Sequence, residues 1–92
     1  MAHPRALKIL LVCPWVLKLT GLTAFQIVRV DFAAALRAAL VQHRFDAAFY
    51  LDTASLPHDV AEACVREHAP KLALTVIYRL DQIPTELAKR RS

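Results

Sequence analysis

The chain has 92 residues, of which 57% are hydrophobic and 22% charged, with a formal charge of +4. That length makes one domain, at the small end of what folds alone. The mean hydropathy of +0.35 excludes a disordered chain, which needs low hydrophobicity and high charge. A small domain has much surface for its core, so this much apolar content predicts apolar surface left over for self-association or a protein partner.

Arg5 and Lys8 precede an apolar run, Ile9 to Leu17, that has the look of a short export signal. Pro14 and Lys18 interrupt it, and nine residues cannot span a bilayer, which needs about 20. The run reads instead as a buried strand of a cytoplasmic protein with no membrane contact. Leu7 to Val12 is continuous and apolar, as expected for a strand covered on both faces of a parallel sheet. Residues 15–24 fit either a short helix or a hairpin turning at Gly21, the only glycine. Phe25 to Val30 has the β-branched content of a strand, and Gln26 and Arg29 suit an edge position. Asp31 is placed as an N-cap for a helix from Phe32 to His43. Phe32, Leu36, Leu40 and His43 form its main stripe. Ala34, Ala38 and Val41 add a second strip, wider than one sheet contact requires.

Phe45 to Leu51 reads as another buried strand. A helix follows from Leu56 to Ala69, with Pro57 near its first turn, Asp59 and Glu62 early and His68 late, an order that suits the helix dipole. Pro70 stops it. Lys71 to Tyr78 is a further strand, and residues 81–91 form a last short helix with a basic end. Strand and helix alternate over a single domain, residues 1–92, so a parallel sheet with right-handed crossovers follows. Residues 85–92 read as a basic tail, in which only Lys89, Arg90 and Arg91 cluster. The other basic residues are scattered, so a nucleic-acid-binding module is an alternative rather than the leading reading.

The chemistry-bearing residues are few. One glycine cannot build a phosphate-cradling loop, so no nucleotide cofactor is expected. Cys64 and His68 share a helix face, but zinc needs three or four ligands and no second pair has matching spacing. Cys13 and Cys64 read as free thiols in a reducing compartment. Cys13 and Asp52 both end strands at the carboxyl side of the sheet, where open α/β sheets bind ligands. They are the candidate ligand pocket, and a small ligand-binding or thiol enzyme using that end is a second alternative.

Taken together, Lys8 to Val12, Phe25 to Val30, Asp31 to His43 and Phe45 to Asp52 resemble a response-regulator receiver domain. The closest stretch is Asp31 to Asp52, DFAAALRAALVQHRFDAAFYLD. The resemblance implies a three-layer, flavodoxin-like α/β fold with a sheet of about four strands in the order 2-1-3-4 and helices on both faces. Receivers carry acidic residues after the first strand that hold Mg²⁺, and here Cys13 and Pro14 stand there. A hard dication needs oxygen ligands. The family's acceptor position falls on Leu51 rather than Asp52, and its fifth strand, with a lysine, has no counterpart. The resemblance therefore implies a pseudo-receiver: a non-enzymatic regulatory or scaffold domain, not phosphorylated by the usual chemistry. Without a fifth strand the Lys71 to Tyr78 strand becomes an apolar edge, and an uncovered edge is a pairing surface. Leu72, Leu74, Val76 and Tyr78 are the expected contact residues, for a homodimer or another protein.

Overall fold

A computed structural model describes residues 7–14 and 24–91, with side chains to Lys89. Its elements are β1 (Lys8–Val12), β2 (Gln26–Val30), α1 (Ala33–Gln42), β3 (Ala47–Leu51), α2 (His58–His68), β4 (Leu74–Ile77) and α3 (Gln82–Arg91). The four strands form one parallel sheet in the order β2-β1-β3-β4. The choice between helix and hairpin for residues 15–24 falls almost wholly on residues 15–23, outside the described ones.

The apolar runs become the two central strands because both their faces are covered. Every residue of β3 is buried, and so is β1 from Ile9 onward. Successive side chains alternate between faces. Leu10, Val12, Val30, Ala48 and Tyr50 meet Leu36 and Leu40 of α1 and Ala61, Cys64 and Val65 of α2. On the opposite face Ile9, Leu11, Cys13, Ala47, Phe49, Leu51 and Ile77 meet Ile83 and Leu87 of α3. The result is three layers, helices lying on both sides of the sheet. Three parallel pairings fix the register, placing Val12 beside both Val30 and Tyr50, and Leu51 beside Ile77.

The start of α1 departs from the sequence expectation. Phe32, not Asp31, is the N-cap, with extended backbone (φ −150°, ψ 162°), and no side chain caps the helix. Asp31 directly follows β2, and its Oδ1 is buried without a hydrogen-bond partner among the described residues. Phe32, one position ahead of the helix, falls off the stripe and is 57% exposed. The second strip faces out: Ala34 and Ala38 are exposed, and Val41 is 72% exposed.

Gln82 braces the β4–α3 connection. Gln82 Oε1 accepts the backbone N–H of Tyr78 at 2.6 Å and of Arg79 at 2.8 Å. Pro84 is tolerated within α3 because the first turn of a helix has no internal acceptor for its N–H groups.

Candidate functional site: the ends and the open edge of the sheet

At the carboxyl end, β1 leaves the sheet at Cys13, whose N–H donates to the Val30 carbonyl at 3.1 Å. Cys13 is fully buried on the α3 side of the sheet. Burial pushes its thiol pKa up, a hydrogen bond and the positive charge of Arg29 partly oppose this, and Asp31 adds to the rise. The thiol is therefore protonated at neutral pH, and the thiolate, not the thiol, is the nucleophile.

Asp52 leaves β3 at the same end, its N–H donating to the Ile77 carbonyl at 3.0 Å, and its side chain is exposed in a turn. Its charge acts on a different group. Burial, then Asp59, then Asp52 raise the pKa of the Tyr50 hydroxyl, which donates to the Leu56 carbonyl at 2.6 Å. Cys13 and Asp52 share an end of the sheet but not an environment: the charged neighbours of the thiol are Arg29 and Asp31. Cys64 and His68 lie one turn apart, and His68 Nδ1 is 3.0 Å from the Cys64 carbonyl. A carbonyl only accepts, so Nδ1 carries the proton, and the ring is tied to its own helix end. Among the described residues no three His, Cys, Asp or Glu side chains converge as a metal site.

At the amino end, sequence reasoning missed a cleft of about 800 Å³. It lies between the α1–β3 and α2–β4 loops and is lined by Leu40, His43, Phe45, Asp46, His68 and Lys71 among others. Lys8 Nζ approaches His43 Nδ1 at 2.7 Å, which makes Nδ1 the acceptor and leaves the proton on Nε2. Arg44 and Lys71 follow two helix C-termini, where cations offset the partial negative charge of the carbonyls. A signal for the cleft was present in the sequence. In a βαβ unit every helix-to-strand loop returns to the amino end, so residues 43–46 and 69–73 had to be neighbours.

The third feature is the β4 edge. Ile77 directs its carbonyl at Asp52, so it faces β3. Backbone direction alternates along a strand, so Thr75 also faces β3, and Leu74 and Val76 turn their N–H and C=O groups outward. Of the four expected contact residues, Leu72 and Leu74 are half-buried against the α1/α2 core, whereas Val76 is 38% and Tyr78 67% exposed.

No protein-family model, curated protein or solved structure matches this chain.

Three places on the sheet thus differ in what they offer a partner or ligand. The carboxyl end holds a protonated, buried thiol and a solvent-facing carboxylate held apart from it. The amino-end cleft is lined by imidazoles already engaged by a lysine or a helix carbonyl. Among the described residues β2 and β4 are the two edges of the sheet, and β4 presents outward backbone donors and acceptors beside the exposed Val76 and Tyr78. No helix among the described residues is long and apolar enough to cross a membrane.

Proposed function

We propose that this chain is a non-enzymatic regulatory or scaffold domain that works by protein–protein contact through β4, and that it self-associates there. It keeps a receiver-like framework as a pseudo-receiver in signalling, without phosphotransfer by the usual route. The observation that carries this reading is the open edge, with Leu74 and Val76 directing backbone groups outward and Val76 and Tyr78 exposed beside them. An edge of this kind is a template for another strand. Two free, buried cysteines suit the reducing cytoplasm as the working compartment.

Sedimentation from ~10 to ~500 µM tests the reading, a range in which a dimer with a dissociation constant near ~100 µM changes its mean mass. The expected result is a rise in mean mass with concentration that Val76→Lys abolishes while the circular dichroism of the fold is kept. A strictly monomeric chain over that range, with residues 72–80 exchanging amide hydrogen at the same rate throughout, would count against the reading. Incorporation of phosphate at Asp52 from a small phosphodonor with Mg²⁺ would overturn the non-enzymatic part.

A further inference from the structure

We infer that the amino-end cleft is a binding site for a small organic anion with an apolar body, a carboxylate or phosphate monoester on an aromatic or aliphatic frame. This goes beyond the proposed function and does not depend on the β4 contact.

The cleft has the size and the lining for it. Its volume of about 800 Å³ lies within the range of small-molecule sites, about 300–1,000 Å³. Leu40, buried, and Phe45 and Leu72, half-buried, give it an apolar surface.

The charges around the cleft decide the sign of the ligand. Arg44 and Lys71 line it together with Asp46, whose Oδ2 already accepts the backbone N–H of Lys8 at 2.8 Å. Lys8 brings a third cation up behind His43, with its Nζ 2.7 Å from Nδ1. Two helix C-termini end here as well, each carrying about half a negative charge. Three cations exceed one carboxylate and two such half-charges, so positive charge is left over. The helix end of α2 does not use up Lys71. That helix already has Arg66 in its last turn, and His68 Nδ1 donates to its Cys64 carbonyl. Arg66, Arg79 and Lys89 each lie within 3.5 Å of a carboxylate. Arg44 and Lys71 have no such partner among the described residues.

His43 adds a directed donor. Lys8 occupies its Nδ1, so the Nε2–H is what the ring can offer a molecule in the cleft. An anionic oxygen accepts from that N–H and from the Arg44 or Lys71 side chain, the stronger, charge-assisted kind of hydrogen bond. The apolar body of the ligand then covers Leu40, Phe45 and Leu72. A free molecule fits better than a bilayer, because these apolar residues line a concavity that a flat surface does not enter.

Two fluorescent probes with similar bodies read the site: anilinonaphthalene sulfonate, an anion, and the uncharged N-phenylnaphthylamine. Each is titrated to ~1 mM, a range that captures weak sites. The expected result is tighter binding of the anion, with amide chemical-shift changes confined to residues 40–46 and 68–72. Arg44→Gln combined with Lys71→Gln should weaken the anion at least about tenfold, the loss expected for a charge-assisted contact, and leave the uncharged probe unchanged. Both side chains are exposed, so the fold is kept. An equal loss for both probes, or no loss for either, would overturn the inference. So would shifts centred on Val76 and Tyr78, which would mark the sheet edge as the apolar surface the probe found. Absence of binding to ~1 mM, or co-flotation with phosphatidylglycerol vesicles without a response to the free anion, would overturn it as well.

Discussion

Tyr50 carries its ring into the core and its hydroxyl to the Leu56 carbonyl, 2.6 Å away and buried. Its ring also stands edge-on to His58, with centroids 5.0 Å apart. Tyr50→Phe leaves that carbonyl without its donor at almost unchanged volume, and a buried orphan acceptor costs about 1–3 kcal/mol. Urea denaturation should show that loss with an unchanged slope. Cys13 makes a pH-dependent counterpart. Its folded-state pKa is raised from the ordinary 9.0, first by burial. The folded state thus holds the proton longer than the unfolded chain. The stability this contributes is complete below pH 9.0 and is lost as pH rises through the higher folded value. Tyr50, raised from 10.0, adds a second fall of the same sign that begins higher. Denaturation midpoints measured from neutral to strongly alkaline pH should therefore decline in two stages. Cys13→Ala should flatten the first and Tyr50→Phe the second. A first stage that persists in Cys13→Ala would remove the thiol as its cause.

At the scale of elements, α3 depends on two side chains. Ile83 is fully buried and Leu87 nearly so, and together they cover Ile9, Leu11, Phe49 and Ile77 on one face of the sheet. Ile83→Ala removes a fully buried side chain from that contact, and an Ile→Ala change in a core costs about 2–5 kcal/mol. It should also raise exchange at the Tyr78 and Arg79 amides, because Gln82 can hold them only while α3 is docked. The strands were legible because continuous apolar runs such as Leu7 to Val12 have one good use in a small α/β chain, burial from both sides. The order of the sheet is what the receiver resemblance implies, and the four-stranded sheet has that order. The cap was misread for a physical reason. Asp31 has the right chemistry, but β2 runs through Val30, and a further extended residue, Phe32, intervenes before the helix begins. Cys13 and Asp52 were correctly placed at one end of the sheet. Sequence position alone did not reveal that Arg29 and Asp31, from the neighbouring strand, would be the charges around the thiol. The amino-end cleft carries no sequence expectation because ligands of open α/β sheets usually sit at the carboxyl end.

For the whole molecule, the question is how tightly two copies hold. Each backbone hydrogen bond gained is worth about 0.5–1.5 kcal/mol net, and covering Val76 and Tyr78 adds about 1–3 kcal/mol for each. Association costs about 4–15 kcal/mol in lost freedom, so the balance is a weak dimer that forms only at high local concentration. Electrostatics weakens it further, since each copy carries +4. Lys71 and Arg79 flank β4 in sequence, and Arg79 is partly offset by its own Asp81 at 2.6 Å. Salt screens repulsion between exposed charges, the Debye length falling from about 30 Å at 0.01 M to about 3 Å at 1 M. Self-association should accordingly tighten as NaCl is raised. The nucleic-acid alternative has the opposite sign, because displaced counterions make phosphate binding weaken steeply with salt. Sedimentation of the protein alone and binding to an unrelated DNA duplex, measured over one salt series, separate the two. A mass that rises with salt while DNA binding stays negligible supports an edge that joins copies of the chain. A DNA affinity that falls steeply with salt, and drops again when Lys89 to Arg91 are removed, would make the basic end the working part of the molecule.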